Sequence, residues 1–306
     1  MRLDYYIYTR WERKFADAGD DDKKIAAAAA PLQNLDVAIF FKAEGPDRSG
    51  RLTTGETFEK GLENFKKYKN PNTEIWLGLG ELTNAGESPK ALDTLIAELK
   101  ALCEKHGFTG LDLDWEKPVK QEILVRVMAR LRREFQPRGI TISLSHATAR
   151  EYVPNTAAVA GYVDYVNLQA YGNSSNAWSV GELREAVDRY INAGVPKRKI
   201  CLGLPMFGSV DGHKDRNAAV KEIGYGQLLH LGASPNKNQW RDPKTDLVYY
   251  YSGLPLIADK VNYAKREGFG GIFTWELTCD TPYSNPLSIC RAIDKALGRA
   301  AVAMEQ

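Results

Sequence analysis

Phe108-Thr109-Gly110-Leu111-Asp112-Leu113-Asp114-Trp115-Glu116-Lys117-Pro118 is the stretch on which the fold turns. Asp112, Asp114 and Glu116 recur at every second position, the period of a β-strand, so the three carboxylates share one face. Leu111, Leu113 and Trp115 take the opposite face and, with Phe108, mark a core strand rather than a solvated one. Three acids on one buried strand face repel each other and compete for protons, a cost that packing alone does not require. The stretch is therefore a candidate functional site. Same-face neighbours on a strand lie about 7 Å apart, so an ionised Asp114 and partial burial are expected to favour the protonated form of Glu116. A protonated acid at the C-terminal end of a strand, beside an ionised partner, suits cleavage of an acetal. There the leaving oxygen needs a proton while the sugar develops positive charge.

Thr109-Gly110-Leu111-Asp112-Leu113-Asp114-Trp115-Glu116 resembles the signature of family 18 glycoside hydrolases, the chitinases and their relatives, written D-G-x-D-x-D-x-E. The departure is at the first position, where Thr109 replaces Asp. The resemblance implies that this first acid lies deepest in a barrel and supports the second. Its loss is then expected to modify proton sharing rather than abolish catalysis.

The chain of 306 residues is long enough for two medium domains or one α/β barrel. Its 41 basic and 39 acidic residues nearly balance, with no long run of one sign, so neither a nucleic acid nor an anionic membrane is expected as a partner. The apolar runs Ile25 to Leu32 and Val37 to Phe41 are too short to span a bilayer. Met1 to Tyr6 lacks a signal-peptide hydrophobic region and reads as a first strand. Either the protein starts in the cytoplasm or a leader has been removed, and location stays open. Cys103, Cys201, Cys279 and Cys290 lack metal-ligand spacing and read as structural thiols, with pairing of Cys279 and Cys290 left open. His106, His146, His213 and His230 lack it too, so neither metal nor cofactor is expected.

Strand-like and helix-like segments alternate along the chain, the pattern of a parallel sheet with crossover helices. Strands are predicted at Leu3–Thr9, Asp36–Lys42, Glu74–Leu79, Thr109–Glu116, Gly139–His146, Tyr162–Tyr171, Lys199–Phe207 and Gly270–Glu276. Between them, Leu92, Leu95, Ile96, Leu99 and Leu102 repeat at helical spacing, as do Ile123, Leu124, Val127, Met128 and Leu131. Ser179 and Glu182 form a capping box ahead of Leu183, Val187, Tyr190 and Ile191, and Ile257, Val261 and Ala264 lead into the last strand. The expected fold is a single α/β domain over residues 1–306, a (β/α)8 TIM barrel. A doubly wound sheet, the runner-up, would need a glycine-rich phosphate turn that the sequence lacks. The long gap from Gly208 to about Ser252 contains Leu247-Val248-Tyr249-Tyr250-Tyr251, read as a hairpin strand. Chitinases of this kind carry a small α+β insertion there. With this length a loop with short elements and a shallower groove is expected instead of the full-size insertion domain.

The resemblance extends to other strands. Asn167, Gln169 and Tyr171 share a face of the sixth, similar to the family's M-x-Y-D or Q-x-Y segment, with Gly172 standing where many members have Asp. Gly203-Leu204-Pro205-Met206-Phe207-Gly208 is similar to G-L-P-F-Y-G, and Gly270 to Trp275 to G-G-x-M-x-W. Gly78-Leu79-Gly80-Glu81 matches the third-strand pattern only faintly, and Ser143-Leu144-Ser145-His146 the fifth loosely. The family mechanism is retaining and assisted by the substrate. By resemblance, Glu116 protonates the glycosidic oxygen and the sugar's own N-acetyl oxygen attacks its anomeric carbon. Asp114 orients the acetamide N–H, Asp112 holds Asp114, and Tyr171 steadies the acetamide oxygen. Water activated by Glu116 completes the reaction. Trp275, Gln169 and Met206 are taken as substrate contacts, the tryptophan because a flat apolar ring suits the CH face of a pyranose. The expected activity is a chitinase-type glycosidase cleaving β-1,4 links between N-acetylglucosamine units, acting as a monomer on an oligo- or polysaccharide. An endo-β-N-acetylglucosaminidase acting on N-glycan chitobiose cores shares this apparatus and is the first alternative. A non-catalytic chitin-binding lectin is the second, although lectins of this type lose the acid that Glu116 supplies here. A phosphate-binding barrel enzyme is disfavoured, because Gly270-Gly271 lies at the wrong end of its strand.

Overall fold

A computed structural model describes residues 1–7, 21, 23, 33–43, 46–54, 56–116, 119–171, 177–210 and 222–300. Lys117, Pro118, Gly172 and His213, and the whole apolar run Ile25 to Leu32, lie outside them. In chain order the strands are β1 (Arg2–Ile7), β2 (Val37–Ala43), β3 (Glu74–Leu79), β4 (Gly110–Asp114), β5 (Thr141–Ala147) and β6 (Tyr165–Gln169). They continue as β7 (Ile200–Pro205), β8 (Phe207–Val210), β9 (Ile223–Gly224), β10 (Gln239–Arg241), β11 (Val248–Tyr250) and β12 (Gly271–Trp275). Strands β1 to β7 and β12 close a parallel barrel in the order β1-β12-β7-β6-β5-β4-β3-β2. The expected (β/α)8 barrel is therefore the observed one, with each strand within a few residues of its predicted span.

Alternation divides the interior in two. Leu111, Leu113 and Trp115 are fully buried between the sheet and its helices. The lumen is filled by Val37, Ile39, Phe41, Trp76, Cys201 and Phe273. Both strand faces are thus covered, which is why these strands read as near-continuous apolar runs. Wide rings fit inside because glycines stand beneath them. A Cβ on Gly110 would lie 2.4 Å from the Trp76 ring, and one on Gly78 would lie 2.6 Å from the Phe41 ring.

Helix positions follow the sequence periodicities. Helix α1 is Glu56–Tyr68, α2 Thr83–Glu87 and α3 Pro89–His106. Ser88 caps α3 by accepting from the Ala91 amide, Pro89 opens it, and Gly107 ends it at φ 66°. Leu92, Leu95, Ile96 and Leu99 form its buried stripe, and all five predicted core residues of α4 (Gln121–Phe135) are buried. Helices α5 (Val153–Val159) and α6 (Val180–Asn192) follow. The predicted capping box is in place at the start of α6, with the Ser179 hydroxyl accepting from the Glu182 amide and Glu182 accepting from the Ser179 amide.

The segment after β7 carries short elements, as expected. Strands β8 to β11 form a four-stranded antiparallel sheet in the order β10-β11-β8-β9, accompanied by α7 (Tyr225–His230). The predicted hairpin strand is β11. Helices α8 (Leu254–Glu267) and α9 (Ile289–Leu297) complete the described chain. Cys103, Cys201 and Cys290 are buried and Cys279 is half-buried.

Thr109 overturns one expectation. It sits three residues before Asp112, and an odd spacing on a strand puts the two on opposite faces. Thr109 is exposed at the N-terminal end of β4 rather than deep in the lumen. Its hydroxyl donates to Glu74 Oε2 at 2.8 Å, and the same oxygen accepts from Trp76 Nε1 at 2.9 Å. The departure from the family pattern therefore lies at the barrel floor, and the support of Asp112 comes from elsewhere.

Candidate active site

Asp112 has no exposed surface, and a buried carboxylate must be hydrogen-bonded to be tolerated. The register supplies the donors. Asp112 stands level with Ser143 on β5, and Ser145 stands level with Asn167 on β6. The Ser143 hydroxyl donates to Asp112 Oδ1 at 2.5 Å and Asn167 Nδ2 donates to the same oxygen at 2.9 Å. The Ser145 hydroxyl reaches Oδ2 at 3.1 Å. Ser143, Ser145 and Asn167 are themselves fully buried, so the cluster is a polar patch inside an otherwise apolar lumen.

Asp114, one step nearer the mouth, is half-buried and accepts from Gln169 Nε2 at 2.8 Å. Gln169 was expected to contact substrate; its amide is instead engaged with this carboxylate. Beyond Asp114 the strand assignment ends, but the Trp115 amide still donates to the Ser145 carbonyl at 3.2 Å. Trp115 is fully buried on the outer side, so alternation returns Glu116 to the lumen side. Glu116 is exposed. The partial burial expected of it is absent, because it stands two residues past the strand at the open end of the barrel. Its backbone carbonyl accepts from the Tyr152 hydroxyl.

Tyr171 lies two residues past β6 with its ring edge-on to Phe207 at 5.7 Å and Phe273 at 6.2 Å. Burial, and then the charges of Asp114, Glu116, Asp112 and Glu222, hold its phenol well above the usual tyrosine range, so it remains a proton donor. Trp275 ends β12, half-buried, with Phe41 against it at 5.8 Å and 83°. Glu116, Asp114, Gln169, Tyr171 and Trp275 thus gather at the C-terminal end of the barrel, with Asp112 beneath them.

Met206 does not join them. It is fully buried in the layer between sheet and helices, with its amide donating to the Trp275 carbonyl at 2.8 Å. The lumen-facing positions of β7 are Cys201, Gly203 and Pro205, so the next residue falls on the outer side. Met206 is a core residue and not a substrate contact.

The sequence reading missed Tyr152, and it noted Ser143, Ser145 and Asn167 without seeing what they hold. The signal for those three was the period-two run of small polar residues on strands flanking an acidic one. Glu276 was also missed. It is 4 % exposed and accepts from the Thr278 amide at 3.1 Å, the Thr278 hydroxyl and Cys279 Sγ at 3.2 Å, which ties down the turn after Trp275. Among the described residues no group of three or more His, Cys, Asp or Glu is arranged to hold a metal ion.

The sequence profile described as glycosyl hydrolases family 18 matches residues 5–280. The chain belongs to that family. Chitinase 1 of Aphanocladium album is 24% identical over 279 residues, covering 72% of this chain and 65% of that protein, so the chain spans just under two thirds of its length. Among solved structures, the fold is similar to the family 18 chitinase ChiB of Flavobacterium johnsoniae, with a TM-score of 0.79 at 20% identity over 96% of this chain and 93% of that one. It is also similar to the family 18 chitinase of Cycas revoluta in complex with (GlcNAc)3, with a TM-score of 0.74 at 18% identity over 97% and 100%. In this family 18 barrel the acids climb from complete burial at Asp112, through Asp114 at the end of β4, to exposure at Glu116 beyond it.

Proposed function

We propose that this chain is a chitinase-type glycosidase, hydrolysing β-1,4 links in N-acetylglucosamine oligosaccharides by the retaining, substrate-assisted route. The observation that carries the reading is the gathering at the C-terminal end of the barrel of Asp114, held by Gln169 at 2.8 Å, with Glu116 just beyond β4 and Tyr171 just beyond β6, where burial and then the acids' charges raise the tyrosine's phenol. A sugar ring between that phenol and the acids would meet a proton donor, a carboxylate and an electrophile-stabilising face at once.

Glu116 protonates the glycosidic oxygen, and its exposure leaves room for a leaving sugar. Closure of the site around bound substrate would supply the desolvation that the free protein does not. Asp114, held by Gln169, orients the acetamide N–H and balances the charge that develops when the N-acetyl oxygen attacks C1. Tyr171 donates to the acetamide oxygen. Trp275 offers a flat apolar face for the reacting pyranose. The unit that does this is the barrel with its short insertion, acting as one catalytic domain.

The test incubates purified protein with chitin tetra- to hexasaccharides and, separately, with a high-mannose glycoprotein. Products are read by mass spectrometry, with Glu116→Gln as the blank. Shortened chito-oligosaccharides from the wild type, and none from a variant that still binds them, are expected. Release of glycan lacking one N-acetylglucosamine would move the protein to the endo-β-N-acetylglucosaminidase reading. Binding without cleavage would make it a lectin.

A further inference from the structure

Glu116 occupies an awkward position for a general acid. It is exposed, lies beyond the last strand residue, and among the described residues its carboxylate accepts no hydrogen bond. A proton donor must nevertheless be held to a fraction of an ångström in the reacting complex. Whatever holds it must act on the backbone.

Three side-chain hydrogen bonds do so, and all join the chain on either side of the β4–α4 connection to one short segment at the start of α5. The Tyr152 hydroxyl donates to the Glu116 carbonyl. Asn155 Nδ2 donates to the Val119 carbonyl at 3.1 Å. Gln121 Nε2 donates in the other direction, to the Pro154 carbonyl at 3.1 Å. The contacts thus bracket the β4–α4 connection, with Glu116 at one end and the first residue of α4 at the other.

Tyr152 is in turn fixed by the sheet. Its ring lies 5.2 Å from that of His146, a fully buried residue on the outer face of β5. The Thr156 hydroxyl donates to the Tyr152 carbonyl at 2.8 Å and lies 2.8 Å from His146 Nδ1. That hydroxyl has a single proton, so Nδ1 carries the hydrogen and Thr156 accepts it. Burial lowers the His146 pKa to about 4, which keeps the ring neutral. The path from β5 through His146, Thr156 and Tyr152 to Glu116 is continuous.

We infer that Tyr152 is a positioning residue for Glu116, with Asn155 bracing the same turn, so that the acid's backbone is set by β5 and α5 rather than by its own strand. The inference rests on the glycosidase reading above, in which Glu116 supplies the proton. Burial and the nearby charges of Glu151, Glu116 and Glu81 raise the Tyr152 phenol above the ordinary tyrosine value, so it remains a donor under working conditions.

The experiment compares two substrates that differ in their need for a proton. Tetra-N-acetylchitotetraose is cleaved with release of a sugar hydroxyl, a poor leaving group that requires full protonation, whereas 2,4-dinitrophenyl N,N′-diacetylchitobioside releases a stable phenolate. Tyr152→Phe and Asn155→Ala are measured beside the wild type, with thermal melts to confirm folding. Tyr152→Phe is expected to lower kcat on the tetrasaccharide about tenfold with KM within about twofold, and to change the dinitrophenyl rate by less than about twofold. Asn155→Ala is expected to act in the same sense, and it carries the test if Tyr152→Phe fails to fold. Equal losses on both substrates, or no loss on either, would overturn the positioning role. A wild type inert on both substrates would instead overturn the glycosidase reading, and the role of the clamp with it.

Discussion

Gln169 Nε2 reaches Asp114 Oδ1 at 2.8 Å across the intervening strand β5. The β5 residue level with Gln169 is Ala147, whose methyl group leaves the span open. A larger residue there would stand between the amide and the carboxylate. The pair joins the two strands that carry the acids and the tyrosine.

Gln169→Leu removes the donor and keeps the size. A hydrogen bond to a charged group contributes about 1.5–3 kcal/mol, so kcat on chito-oligosaccharides is expected to fall about ten- to a hundredfold. KM should move little, because Asp114 acts most strongly once charge develops on the acetamide. A large rise in KM at constant kcat would show that Gln169 binds the sugar directly.

Trp275 and Met206 are neighbours through a backbone hydrogen bond, yet they are expected to respond oppositely. Trp275→Ala removes the platform and should raise KM about tenfold, since stacking on an aromatic face is a binding term. Met206→Ala opens a cavity in the outer core and should cost about 2–5 kcal/mol of stability, leaving KM unchanged in the folded fraction. Urea unfolding and steady-state kinetics on both variants separate the two. A KM effect from Met206→Ala in well-folded protein would return it to the site.

Lys260 on α8 is fully buried, with its ammonium donating to the Ser252 hydroxyl at 3.1 Å. Burial pulls its pKa down to about 7, against a smaller opposing pull from Glu182. The unfolded chain keeps that proton up to about pH 10.5, so between about 7 and 10.5 it binds more protons than the folded chain does. Stability is therefore expected to climb with pH through that window on this residue's account, and to be poorest below pH 7. Lys260→Met should stabilise by about 1–4 kcal/mol at pH 6, with the gain shrinking towards pH 10. Chemical denaturation at the two pH values checks this, and a gain independent of pH would refute a charged lysine as its source.

Much of this protein is legible in its sequence because period is a local property. Asp112, Asp114 and Glu116 alternate with Leu111, Leu113 and Trp115, and that alone separates lumen from outer layer on β4. The apolar stripes of α3 and α4 and the Ser179–Glu182 box likewise depend only on residues a few positions apart. The same arithmetic could have separated Thr109 from Asp112, since three is an odd number of strand steps.

What the tertiary structure alone decided is which strands lie side by side and at what height. The donors to Asp112 come from Ser143, Ser145 and Asn167, between 31 and 55 residues away, and only the stagger of β5 and β6 brings them level with it. Met206 was misjudged because it follows β7 by one residue, and one step reverses the face on which a side chain lies. The clamp on Glu116 was invisible for a related reason. Tyr152 directly precedes α5 and Asn155 lies in its first turn, where the helix is tied to β5 through His146, and nothing in their local sequence states what a hydroxyl or an amide at the end of a side chain will meet.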